Sequence, residues 1–144
     1  MLQYTTGLII HRPVDQVFEY VTNIENSRQW GDAVVDAWQE NDGPMGAGTI
    51  VTERVKMGPV TSELSWEITA YEPNRLCVYE GESELGRSRT AYIFEPLGDN
   101  TRLAVEVTVE QPGIYRLLKP FVQFSHKRNR LNSLKAIKAI LEQV

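Results

Sequence analysis

One cysteine stands in the 144 residues, Cys77, so neither an internal disulfide nor a multi-cysteine metal site can form, and a reducing cytoplasm is the expected compartment. Long apolar runs are also missing. The longest are four residues, Leu76 to Tyr79 and Ala91 to Phe94, where a membrane-spanning helix needs about 20. The first residues lack a basic stretch ahead of a long apolar one, so no secretory signal is expected. Histidine is scarce: His11 and His126 are the only two, and no His/Cys cluster has metal-ligand spacing. Net positive charge is absent as well. A net charge of −4 and a pI near 5.2 argue against nucleic acid as the main partner. Gly46-Ala47-Gly48 lacks the third glycine of a dinucleotide loop and leads into a strand rather than a helix. No Gly-x-Ser-x-Gly elbow occurs, and Cys77 between Leu76 and Val78 reads as an inert buried thiol. Nothing points to a cofactor.

What is present is an ordinary globular composition, 42% hydrophobic and 24% charged, in a length suited to one core and one domain spanning 1–144. The charge is uneven. From Gly113 to Val144 there are seven Lys/Arg and one acid, Glu142. A basic helix attracted to an acidic sheet, or simply solvated, is the favoured reading, and transient contact with a membrane surface stays open beside it.

The periodicity divides the chain. Tyr4 to His11 has strand character and ends at Pro13, which suits the first turn of a helix. Val14, Val17, Phe18 and Val21 then follow at helical spacing, giving a short helix over Pro13 to Thr22 and a second short turn ending near Trp30. Six strands come next, over Val34 to Glu40, Thr49 to Met57, Val60 to Tyr71, Arg75 to Glu82, Ser88 to Glu95 and Thr101 to Glu110. The alternation Leu64, Trp66, Ile68, Ala70 against Glu63, Ser65, Glu67, Thr69 marks a half-buried strand. After Pro112-Gly113, a turn over Ile114 to Leu118 and a long helix from Pro120 to Glu142 close the chain. Short turns between consecutive strands imply an antiparallel meander that curves around one helix. The expected class is therefore α+β. Six or seven strands wrap a long C-terminal helix, with two short helices after the first strand and room for a cavity on the concave side.

Several segments carry a resemblance. Ile10 to Phe18, Trp30, Gly46-Ala47-Gly48-Thr49, Glu72-Pro73-Asn74-Arg75, and Tyr92 to Pro96 with Gly98 and Thr101-Arg102-Leu103 occur in an order covering nearly the whole chain. Together they resemble the START-like, or SRPBCC, superfamily, especially its polyketide cyclase/dehydrase and lipid-transport branch. The resemblance implies a helix-grip fold and a hydrophobic ligand cavity. It leaves open whether the chain binds, carries or converts its ligand.

Strand phase selects the candidate lining. Val51, Glu53 and Val55 share one face of their strand, and Leu64 and Trp66 share the apolar face of the next. Tyr92 and Phe94 extend that wall. Phe121 and Phe124 leave the Leu131, Leu134, Ile137, Leu141 stripe of the long helix and are placed against the cavity. Glu53 from the sheet and Arg128 from the helix are the polar pair expected to orient a ligand. For each the plainer reading is core packing or a solvated side chain. The expected function is binding or carriage of a hydrophobic small molecule, lipid or polyketide-like. The alternative is a polyketide cyclase or dehydratase using acid/base groups in the same cavity, and a surface interaction module is a third reading.

Overall fold

The computed structural model describes residues 2–31, 33–83, 86–110 and 119–143. The side chains of Met57, Ser83 and residues 119–122 are outside that description. The chain opens with strand β1 (Leu2–Ile10), helix α1 (Val14–Thr22), a single 3-10 turn (Ile24–Asn26) and the one-turn helix α2 (Ser27–Trp30). Six strands follow: β2 (Val34–Gln39), β3 (Ile50–Met57), β4 (Val60–Glu72), β5 (Leu76–Ser83), β6 (Gly86–Leu97) and β7 (Asn100–Val109). Helix α3 (Lys119–Glu142) comes last.

All seven strands form one antiparallel sheet in the order β1-β7-β6-β5-β4-β3-β2. The last six run as a meander, and β7 then pairs along the whole of β1, from Leu2 opposite Val109 to Ile10 opposite Thr101. This is the curved antiparallel sheet with a long C-terminal helix expected from the strand and helix order, and the helix-grip arrangement that the resemblance implies. The expected turn over Ile114 to Leu118 lies outside the described residues. Two hairpins turn in two residues, with Gly58 (φ 62°) and Gly98 (φ 65°) in the left-handed region that glycine tolerates without a Cβ clash. A bulge between Ile68 and Ala70 bends β4 and adds to the curvature of the sheet.

Period-two patterning becomes burial most clearly in β7. Thr101, Leu103, Val105, Val107 and Val109 are buried, while the residues between them are not. Leu103, Val105, Val107 and Val109 pack with Phe18 of α1, Phe94 of β6, and Leu134 and Ile137 of α3, the helix that contacts β1. Each such side chain contributes about 1.5–3 kcal/mol when fully removed from water. A second cluster, built from Ile24, Ala37, Val51, Ile68 and Cys77, holds the other half of the sheet. Tyr71 and Tyr79 pack against both clusters. Between the clusters the inner face of β3 and β4 is only partly covered: Glu53, Val55, Leu64 and Trp66 are all half-buried. That incomplete filling leaves a pocket.

Candidate functional site

The pocket has a volume of about 330 Å³ and lies between the sheet and the middle of α3. Its sheet wall follows from strand register. Val51 faces Trp66 and Glu53 faces Leu64 across the β3–β4 ladder, so alternate residues of both strands share the concave side. Val55, Leu64 and Trp66 continue this apolar surface. Tyr79 on β5 and Thr90 and Tyr92 on β6 form the floor; Tyr79 is paired with Thr90, and the Tyr79 and Tyr92 rings meet edge to face at 5.9 Å. Ile24, Ser27 and Trp30 close one end. Ala33, also on the lining, has φ 60°, a conformation that costs a residue with a Cβ about 1–2 kcal/mol.

Helix α3 supplies the remaining wall through His126, Asn129, Arg130 and Ser133. The rotation of α3 is set by its buried anchors, Leu134 and Ile137. Steps of four back from Leu134 reach Arg130 and then His126, so these polar residues share the inward stripe. Arg128 lies half a turn away from Ile137 on the helical wheel and is exposed. The guanidinium at the pocket therefore belongs to Arg130, not Arg128.

The other sequence candidates divide in the same way. Val51, Glu53, Val55, Leu64, Trp66 and Tyr92 line the pocket. Phe94 is instead packed in the core, edge to face with Phe18 at 4.9 Å and opposite Leu103. Phe124 is 69% exposed, turned out by the same rotation that exposes Arg128. The side chain of Phe121 lies outside the described residues. His126, Arg130, Tyr79 and Thr90 were not singled out from the sequence. For His126 and Arg130 a signal existed in the i, i+4, i+8 series ending at Leu134, obscured by the two phenylalanines nearby.

The electrostatics are those of a mostly apolar cleft with a few opposed polar groups. Burial pushes the Glu53 carboxyl above the ordinary carboxylate range, and the charge of Arg130 across the pocket holds it back in part. Glu53 and Arg130 line the same pocket but form no direct ion pair. Burial opposes the charge on Arg130, but Tyr92, Tyr4 and Glu53 outweigh it and the guanidinium stays protonated. Arg130 donates to the Tyr92 hydroxyl at 3.3 Å. His126 is lowered to about 4 by burial and by Arg130, so its imidazole is neutral at physiological pH. Its Nδ1 is hydrogen-bonded to the Tyr4 hydroxyl. Burial raises Tyr4 to about 12 and also raises Tyr79 and Tyr92, which keeps all three phenols neutral. The indole nitrogens of Trp30 and Trp66 are buried without a hydrogen-bond partner. Chemically, this arrangement can hold an apolar body and meet one polar end with a permanent cation. A neutral imidazole and a carboxyl that gives up its proton reluctantly stand beside that cation. Among the described residues no group of three or more His, Cys, Asp or Glu could hold a metal ion.

The fold is similar to that of several solved structures. The di-domain ARO/CYC BexL from the BE-7585A biosynthetic pathway matches with a TM-score of 0.82 and 13% identity over 99% of this chain; the chain spans about half of that protein, 47% of its length. The Zhui aromatase/cyclase from Streptomyces sp. R1128 matches with a TM-score of 0.75 and 13% identity, covering 98% of this chain and 93% of that one. A START superfamily protein from Mycobacterium smegmatis matches with a TM-score of 0.78 and 18% identity, covering 98% and 97%. At such identities the likeness concerns the fold. No curated protein sequence matches the chain. The family model for polyketide cyclase/dehydrase and lipid transport matches residues 1–142. By this match over nearly its whole length, the chain belongs to the polyketide cyclase/dehydrase and lipid transport family.

Proposed function

We propose that the protein binds or carries a compact hydrophobic molecule, lipid or polyketide-like, with its polar end held at Arg130. One observation carries this reading: a guanidinium stands in a largely apolar pocket opposite a carboxyl with which it forms no ion pair, leaving donors for a guest. A guanidinium offers five N–H donors in a fixed fork, suited to a carboxylate or enolate oxygen. The volume of about 330 Å³ falls at the small end of ligand sites and favours fused rings or a short chain over a long lipid. Apolar burial supplies the affinity and Arg130 the orientation.

A second reading has its own support. Glu53 and His126 line the same cleft, and both have ionisations displaced by burial. Groups of that kind serve proton transfer in cyclisation or dehydration of a polyketide-like substrate. Native mass spectrometry of the protein as purified, followed by titration of Trp30 and Trp66 fluorescence with aromatic carboxylates and polyketide mimics, tests the first reading. Saturable binding that weakens in Arg130→Met is expected. Turnover of a mimic, lost in Glu53→Gln with binding retained, would replace the carrier with the enzyme. No binding across the panel would remove both.

A further inference from the structure

The Tyr4–His126 contact joins residues 122 positions apart, from the edge strand β1 to α3, and does more than pack two rings. Tyr4 is buried, and Arg130 lies one helical turn from His126 on the same pocket wall. A phenol O–H is a stronger hydrogen-bond donor than a neutral imidazole N–H, and a bare imidazole nitrogen is a stronger acceptor than a phenol oxygen. In the Tyr4–His126 contact the phenol is therefore the donor. Two acceptors lie within reach of its proton. One is Nδ1 of His126, in close contact. The other is the His126 carbonyl at 3.3 Å, long for an O–H···O bond, which is ordinarily about 2.5–3.0 Å, and already engaged in the helix ladder.

We infer that Tyr4 is a positioning residue: its hydroxyl donates to Nδ1 of His126, so the imidazole carries its own proton on Nε2 as a donor for an acceptor oxygen of the ligand. Nε2 has no hydrogen-bond partner among the described residues, and His126 lines the pocket beside Arg130. The two side chains then form a paired donor site, one charged and one neutral. Such a site selects a ligand ending in a carboxylate, phenolate or conjugated carbonyl over an amine. The inference rests on the pocket being a ligand site, but the tautomer can be read without any ligand.

Nitrogen NMR of the imidazole in the full chain decides it. The expected spectrum has Nδ1 pyridine-like and Nε2 pyrrole-like, with the two nitrogens drawn toward an averaged pair in Tyr4→Phe. A pyrrole-like Nδ1, or a spectrum indifferent to Tyr4→Phe, would overturn the assignment. As a binding probe, 2-naphthoate should bind about ten-fold more weakly to Tyr4→Phe, while naphthalene binds both proteins alike. His126→Gln, which keeps an amide donor near the Nε2 position, should recover much of the affinity lost in His126→Leu. Equal loss in both variants would overturn the donor role. An Nε2-protonated spectrum with no naphthoate binding would sink the ligand-site reading and leave the Tyr4 assignment standing.

Discussion

Glu53 on β3 and Arg130 on α3 face one pocket from opposite walls, yet the carboxyl and the guanidinium do not close into an ion pair. Each charge is therefore only partly compensated in the free protein, and a guest with matching polarity has something to gain by entering. The same relationship makes the site sensitive to pH and to single substitutions.

Glu53 should destabilise the protein as it ionises. Its folded-state ionisation is raised by burial, so the native state holds the proton more tightly than the unfolded chain does. Its contribution is fully present below the unfolded carboxylate value of 4.5 and is lost as pH rises through the raised folded value. Glu53→Gln should therefore match wild type near the acid end and exceed it at neutral pH. Urea midpoints compared across that range check this, and a Gln variant less stable at pH 7 would show the carboxylate to be well compensated.

His126 has the opposite sign. Its value falls from 6.5 to about 4, through burial first and Arg130 second. The stability tied to its neutral form is present above 6.5 and is lost as pH falls toward 4. The ring protons should show no titration until about pH 4, and Arg130→Met should move the midpoint back part of the way. A midpoint at or above 6 in wild type would mean that the ring is solvated and charged.

Gly81→Ala should damage the pocket wall. A Cβ there would sit 2.6 Å from the Ser65 carbonyl oxygen and 2.8 Å from Cε3 of Trp66. The oxygen is backbone and cannot swing aside, so a loss of about 1–3 kcal/mol is expected, together with a shift in tryptophan fluorescence as Trp66 is pushed toward the cavity. Unchanged stability and emission would show that β5 relaxes freely at this point.

Ile137→Ala should cost about 2–5 kcal/mol, because Ile137 is fully buried and fixes the rotation of α3. The informative readout is His126. If rotation is what brings it inward, the His126–Tyr4 hydrogen bond should weaken with the loss of stability. A destabilised variant with unchanged His126 resonances would assign the placement to β1 rather than to the helix anchor.

Much of the architecture was legible because it rests on local patterns. Period two in Leu64, Trp66, Ile68 and Ala70, and in Leu103 to Val109, follows from the pleat of a strand with one face inward. Pro13, Gly58-Pro59 and Gly98 mark changes of direction through their own backbone limits. Strand phase likewise put Glu53 and Trp66 on the concave side, since a strand has two faces and one of them was clearly apolar.

A helix offers no such binary choice. Phe121 and Phe124 imply one rotation of α3, while Leu134 and Ile137 imply another, and the sequence ranks neither. Docking on β1 decided it: the two aliphatic anchors became buried, Arg130 and His126 came to the pocket, and Phe124 and Arg128 turned to solvent. The order of elements and the inward face of each strand follow from local patterning, because those depend on near neighbours. Only the tertiary structure could bring Tyr4 to His126 and set Glu53 across from Arg130, because those meetings depend on how β1 pairs with β7 and how far α3 rotates in the grip of the sheet.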